Sequence, residues 1–137
     1  MANNRQAIRA AMKALLLNNT DAGANVYSNR KSPAWQSELP AIFIHNHEEP
    51  LQSESINVQR YVRNFQVLID VMAEATASVD DTLDQIAAEV ETIIGANPSI
   101  SGTCISTIQK TTEFKFDSDG ETPVGVATIT FECQYIS

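Results

Sequence analysis

The pattern of hydrophobic and polar residues is clearest in the stretch 61–95, which begins like a strand and ends like a helix. In its first part every second residue is large and mostly apolar, and the residues between are mostly polar. Because successive strand side chains point to opposite faces, this alternation predicts a strand with one buried face. Leu68 and Met72 interrupt the polar positions, so the second face is expected to be partly covered.

The second half of this stretch repeats with the period of a helix. Its apolar residues recur at steps of four, three, four and three, at Val79, Leu83, Ile86, Val90 and Ile93. This spacing makes one apolar stripe, so the helix is expected to lie on the apolar face of the strand. Ser78 suits the N-cap, and Gly95 is placed where a left-handed C-cap residue is expected.

The rest of the chain predicts one more helix and four more strands. An amphipathic pattern predicts a helix over residues 2–17, and apolar runs predict strands near 25–29 and 41–44. Ile56 and Val58 have the opposite parity to the strand that follows, so a bulge or an arm leaving the sheet is expected near residue 60. The order of elements predicts one α+β domain, 1–137, with a mixed, mostly antiparallel sheet and two main helices packed on one face.

The last two strands are predicted to form a hairpin with Phe114 opposite Ala127. Cys104, Ile108 and Phe114 have the same parity, so they are expected on one face of the sheet. In this register Cys104 lies beyond the reach of Cys133, and two free thiols are therefore predicted. Two cysteines without a metal-binding spacing favour folding in a reducing, cytosolic compartment.

Composition narrows the class of protein. A chain of 137 residues that is 43% hydrophobic can bury a core without disulfides or metals. No apolar run approaches the roughly 20 residues that span a bilayer, and the N-terminal stretch lacks the continuous apolar region of a signal peptide. The net charge of −8 argues against general binding to nucleic acid or to anionic membranes.

The charge is distributed unevenly along the chain. Residues 1–63 carry a net charge of +2, and residues 64–137 carry −10. The simplest interpretation is a solvated surface, because charge runs are usually exposed. The alternative is a subunit with unlike sides that associates head to tail in a ring.

Few residues suggest chemistry. His45, His47 and Glu49 share a face if their strand continues, which is compatible with a metal-dependent enzyme but equally with a polar strand end. The acidic residues Asp80 and Asp81 stand at a helix N-terminus, where the helix dipole already favours negative charge. The sequence contains no phosphate-binding loop and no hydrolase or dinucleotide motif, so neither an enzyme nor a cofactor is expected.

The whole pattern resembles the tail terminator proteins of long-tailed bacteriophages, the minor tail protein U family of lambda-like phages. The resemblance rests on the helix RQAIRAAMKALL, the strands LPAIFIHNHEE and YVRNFQVLIDVMA, the helix VDDTLDQIAAEVETII and the hairpin TEFKFDSDGETPVGVATITFECQYIS. It implies a ring, hexameric in the family, that caps the tail tube, ends its polymerisation and presents a surface to head-completion proteins. The implied location is the head-proximal end of the virion tail, after assembly in the host cytoplasm.

This resemblance implies specific partners and contact residues. The partners would be further copies of the chain, the tail tube protein and a head-completion protein, without specific nucleic acid and without a membrane. The interface candidates are the charged residues of both halves and the single tryptophan, which is either a core residue or an interface anchor: Arg30, Lys31, Trp35, Arg60, Arg63, Asp80, Asp81 and Asp84. The alternatives are another head–tail connector or neck ring protein, and a monomeric module that binds a small molecule.

Overall fold

A computed structural model describes residues 4–28, 40–47, 62–74, 79–117 and 124–136. The described residues form two helices and five strands in the predicted order. Their bounds are α1 (Asn4–Leu16), β1 (Val26–Ser28), β2 (Ala41–Asn46), β3 (Val62–Glu74), α2 (Val79–Gly95), β4 (Ser106–Asp117) and β5 (Val124–Ile136). Three predicted features lie outside the described residues: the Ser78 cap, the change of phase near residue 60 and the turn between the last two strands.

The strands form one sheet in the order β1-β2-β3-β5-β4. β1 and β2 run parallel, and every other neighbouring pair is antiparallel. The long strands β3 and β5 pair over their full lengths at the centre of the sheet. This mixed, mostly antiparallel sheet with two helices confirms the predicted α+β class.

Both helices cover the same face of the sheet. In α1 the buried residues Ile8, Met12 and Leu16 follow one another at steps of four, so they form one stripe. In α2 the buried residues are Val79, Leu83, Ile86, Ala87, Val90 and Ile94. These stripes meet the inward residues of β3 and β5 in a single apolar core, where each fully buried Leu or Ile contributes about 1.5–3 kcal/mol.

The second face of the sheet is more polar but not fully exposed. Leu68 and Met72 are half-buried there, as their position in the pattern predicted. Phe43 also belongs to this face, yet it is buried and stacks on Tyr27 with ring centroids 5.6 Å apart. We call this surface, opposite the helices, the open face.

A β-bulge in β4 corrects one sequence prediction. Ile108 is opposite Glu132, on the open face, whereas Phe114 is opposite Ala127, on the helix face. The predicted pairing of Phe114 with Ala127 is confirmed, but the prediction that Ile108 and Phe114 share a face is wrong. Lys110 is the cause, because it is an extra residue between Gln109 and Thr111 and reverses the alternation.

The end of α2 also differs from its prediction. Gly95 is the last residue of the helix and is not in the left-handed region. The Asn97 side chain donates a hydrogen bond of 2.8 Å to the Ile93 carbonyl and so satisfies one group of the last turn. The chain reverses later, at Ile100, Ser101 and Gly102, which all have positive φ. The Asn97 side chain therefore caps the C-terminus of α2, the role that was predicted for Gly95.

Candidate functional site

The first two turns of α2 present a group of carboxylates to solvent. Asp80, Asp81 and Asp84 are exposed, because Val79 and Leu83 occupy the side of the helix that faces the sheet. Negative charge in the first turn is favoured by the helix dipole, by about 0.3–1 kcal/mol per group. We call these three residues the acidic turn.

Arg63 lies at the other end of the longest strand pair. It is the second residue of β3 and is opposite Tyr135, whereas α2 begins beyond the far end of β3, after Glu74. At a rise of about 3.3 Å per residue, Arg63 and Glu74 are roughly 35 Å apart. One copy of the chain therefore does not bring Arg63 and the acidic turn together, but presents them at opposite ends of the subunit.

The other predicted interface residues are not described. Arg30, Lys31, Trp35 and Arg60 lie outside the described residues, so their positions relative to the acidic turn stay predictions. Of the predicted basic set, Arg63 alone has a described position, and it is half-buried.

The open face carries a row of hydrogen-bonded polar side chains from three neighbouring strands. His45 Nε2 on β2 lies 2.8 Å from Asp70 Oδ2 on β3, and Thr128 on β5 donates a hydrogen bond of 2.7 Å to Asp70 Oδ1. The hydrogen bond to Asp70 raises the pKa of His45 against the effect of burial. Burial opposes ionisation of Asp70, but its bonds to His45 and Thr128 outweigh burial and leave its pKa below the ordinary value.

A shallow groove of about 680 Å³ runs across this open face. Charged side chains of both signs line it, together with His47: Asp70, Lys110, Glu113, Lys115 and Glu132. Lys110 lies 3.9 Å from Glu132, and Lys115 lies 3.7 Å from Glu113. Solvated ion pairs of this kind contribute little to stability, but they fix the charge pattern that a partner would meet.

Only two residues of the predicted metal cluster, His45 and His47, are described. His45 is hydrogen-bonded to Asp70, His47 lines the groove, and Glu49 lies outside the described residues. Within the described ranges, no group of three or more His, Cys, Asp or Glu side chains is arranged to hold a metal ion. The row of His45, Asp70 and Thr128 was not predicted, although the ionisable Asp70 within an otherwise alternating strand was a visible signal.

The family of the chain follows from its sequence. The profile of the family described as phage minor tail protein U matches residues 3–135. The chain belongs to the phage minor tail protein U family. No curated protein sequence matches it. A chain in the solved virion of a native gene transfer agent (GTA) particle is similar over 98% of this chain and 92% of its own length, with 12% identity and a TM-score of 0.47.

Membership of this family makes the chain a structural component of a phage tail. The family carries a structural role in the virion, which agrees with the interpretation of the sequence as a non-enzyme. No helix in the described part of this tail protein is long and apolar enough to cross a membrane.

The outer edge of the sheet gives the tail protein a second distinctive surface. β4 pairs with β5 on one side and is the last strand in the sheet order, so its other edge has no neighbouring strand among the described residues. Among the described residues the exposed large hydrophobic side chains are Ile105, Ile108 and Phe114, on or next to this strand. A long edge strand with exposed apolar side chains is typical of a site that contacts another chain.

Proposed function

We propose that this tail protein is the tail terminator, and that a ring of six copies, the number that the family resemblance implies, caps the tail tube. In this proposal the ring ends polymerisation of the tube and offers an attachment surface for head-completion proteins. The observation that carries the proposal is the family match over residues 3–135, nearly the whole chain. The protein acts by assembly and uses no cofactor.

The positions of the charged residues support a head-to-tail contact. A closed ring of identical subunits needs two different, complementary surfaces on each copy. Arg63 and the acidic turn are at opposite ends of the subunit, so one copy can offer its cation to the carboxylates of the next. Opposite charges at such a contact speed association and help to set the register.

The open edge of β4 supports an apolar part of the same contact. Ile108 and Phe114 are each about half exposed and project from opposite faces of one edge strand. Burying them against a neighbour would remove apolar surface from water, at about 25 cal/mol per Å². In the proposed ring, the charges therefore set which ends meet and the edge strand adds affinity.

The test is charge reversal in the acidic turn. The variant Asp80→Lys/Asp81→Lys should stay monomeric at concentrations at which the wild type forms rings, as measured by light scattering after size exclusion and by electron microscopy. The control of similar charge adds three lysines at exposed positions further along the same helix, Gln85→Lys, Ala88→Lys and Thr92→Lys, and keeps the acidic turn intact. It raises the net charge by three, whereas the reversal variant raises it by four. The control should still form rings.

Pairing can be tested by compensation. If Arg63 meets the acidic turn of the next copy, Arg63→Glu should weaken ring formation, and Arg63→Glu combined with Asp80→Lys/Asp81→Lys should restore part of it. Rings that persist unchanged in every reversal variant would refute the electrostatic contact while leaving the terminator role intact.

The terminator role has its own experiment. Purified protein is added to growing tail tubes, and tube length and tube ends are observed by electron microscopy. A terminator stops growth and appears as a ring on one end of the tube. A ring that binds head-completion proteins but leaves tube growth unchanged identifies a connector or neck protein instead, and a persistent monomer without affinity for tubes contradicts both.

A further inference from the structure

The two cysteines meet at the edge of the core, contrary to the expectation from the sequence. Thr107 Oγ1 lies 3.4 Å from Cys104 Sγ and donates a hydrogen bond of 3.7 Å to Cys133 Sγ. Both sulfur atoms therefore lie within hydrogen-bonding distance of the same hydroxyl oxygen. Both are free, as predicted, but the prediction that Cys104 is beyond the reach of Cys133 is wrong.

The backbone around Cys104 explains why the pair forms. The Cys104 N–H donates to the Ser99 carbonyl at 3.1 Å, and the next N–H, of Ile105, donates to the Gln134 carbonyl at 2.6 Å. The turn before β4 is thereby tied to the residue that follows Cys133. The bulge at Lys110 shifts the first part of β4 by one residue relative to a regular ladder, which places Thr107 opposite Cys133.

We propose that Cys104 and Cys133 are a redox-sensitive dithiol that closes to an intramolecular disulfide when it meets a disulfide oxidant such as oxidised glutathione. The geometry suits this role, because a disulfide needs two nearby sulfur atoms and both sulfur atoms lie within 3.7 Å of the Thr107 hydroxyl oxygen. The two thiols differ in access: Cys104 is half-buried, whereas Cys133 has no exposed surface. An oxidant in solution therefore meets Cys104 first.

The acidity of the two thiols agrees with this order. The interaction with Cys133 lowers the pKa of Cys104 to about 7 although burial acts in the opposite direction, and the interaction with Thr107 adds to the lowering. The interaction with Cys104 and burial raise the pKa of Cys133. Because the thiolate is the attacking species, Cys104 is the nucleophile and Cys133 is the resolving thiol.

The reaction balances with one molecule of oxidised glutathione. The Cys104 thiolate attacks one sulfur, the sulfur–sulfur bond of the oxidant breaks, and one glutathione leaves as its thiolate. Cys133 then gives up its proton and attacks the Cys104 sulfur, and the second glutathione leaves. The protein loses two electrons and its two thiol protons, and two molecules of reduced glutathione take them up.

The consequence is a covalent link between the turn before β4 and the central strand β5. A protein that folds as a dithiol in a reducing cytoplasm would acquire this link only after reaching an oxidising medium. Closing the loop between Cys104 and Cys133 restricts the unfolded chain, so the midpoint of thermal unfolding should rise by about 10 °C.

The test is treatment of the purified full-length chain with oxidised glutathione, followed by intact-mass measurement and peptide mapping. The wild type should lose the mass of two hydrogen atoms, stay free of glutathione, and yield a peptide pair joined at Cys104 and Cys133. The matched variants separate the two roles. Cys133→Ala should accumulate a stable glutathione adduct on Cys104, whereas Cys104→Ser should acquire neither adduct nor disulfide, because Cys133 is buried.

Three results would overturn the proposal. They are a lasting glutathione adduct on the wild type, a disulfide that joins two chains on a non-reducing gel, and no reaction at Cys104 under conditions that oxidise a free model thiol. An intramolecular disulfide that leaves the unfolding midpoint where it was would overturn its role as a stabilising link. Each variant's thermal unfolding in reducing buffer shows that the comparison is made between folded proteins.

Discussion

Asp70 is the residue that links three strands across the open face. Its two carboxylate oxygens are engaged separately, one by His45 on β2 and the other by Thr128 on β5. Such a side chain is costly to bury alone, and its hydrogen bonds offset that cost. The row also makes the charge of His45 depend on folding, because the folded state holds its proton more tightly than the unfolded chain does.

This arrangement predicts a dependence of stability on pH. Since the pKa of His45 is raised above 6.5, the pair stabilises the fold fully below about pH 6.5, and this contribution is lost as pH rises through the raised pKa. His45→Gln should remove that loss, so the variant's free energy of unfolding should change less than the wild type's between about pH 6 and 8. The difference should be less than about 1 kcal/mol, because the pair is partly solvated.

Denaturant unfolding at several pH values measures this effect. His47→Gln is the matched control, since His47 is exposed and lines the same groove. An identical pH dependence in the wild type and in His45→Gln would show that the bond to Asp70 does not affect stability.

At the scale of the elements, the bulge at Lys110 decides which side chains of β4 face the helices. It lets Gln109 and Thr112 both belong to the helix face although they are three positions apart. Gln109 uses that position to hydrogen bond Glu91 on α2, so the strand is fastened to the helix that covers it.

Removing the extra residue should therefore be tolerated. Deletion of Lys110 joins Gln109 directly to Thr111. The strand then alternates regularly, and all of its remaining residues stay on their present faces. We expect the free energy of unfolding to change by less than about 1 kcal/mol, mainly through loss of the solvated contact with Glu132. Denaturant unfolding and the amide exchange pattern of β4 measure the result.

Deletion of Thr130 from β5 is the contrasting variant. Thr130 pairs with Leu68 on one side and Thr111 on the other, so its loss moves half of a central strand out of register with both neighbours. Inward side chains would then face solvent, and a loss of more than about 4 kcal/mol is expected. If both deletions cost the same, the bulge does not have the role described for it.

The elements themselves were predictable because their patterns are long and regular. The stripe of α2 and the alternation of β3 and β5 gave the correct faces, and the pairing of Phe114 with Ala127 gave the correct register of the last hairpin. Single-residue irregularities were not predictable in this way. The inserted Lys110 looks like any polar strand residue, and it changed both the face of Ile108 and the distance between the cysteines.

The candidate site was predictable only in part. Asp80, Asp81 and Asp84 are exposed at the start of α2, where their spacing placed them. The row of His45, Asp70 and Thr128 joins residues far apart in sequence, and only the strand order brings them together. Local patterns therefore predicted elements and faces, whereas contacts across the sheet required the topology.

At the scale of the whole molecule, the division into a +2 and a −10 half predicts salt-sensitive assembly. Screening shortens the range of charge interactions from about 10 Å at 0.1 M salt to about 3 Å at 1 M. The proposed rings should form more slowly and dissociate more readily as salt rises. Sizing and light scattering over this range measure the effect.

A variant separates this effect from general salt effects on solubility. The neutralising variant Asp80→Asn/Asp81→Asn has lost the charges assigned to the contact without reversing them, so any residual association should depend much less on salt. Equal salt dependence in the variant and the wild type would assign the attraction to charges elsewhere on the subunit.

The strand order has a last consequence, for the time at which the protein can fold. β3 and β4 both pair with β5, which follows them in the sequence, and without β5 they are not neighbours in the sheet. A ribosome that has released only the first 117 residues holds a chain with its central ladder missing and an apolar face on β3 without its partner. Pairings between residues so far apart form slowly. The sheet should therefore form only after β5 has left the ribosome, and the nascent chain before that point is the stage most dependent on chaperones.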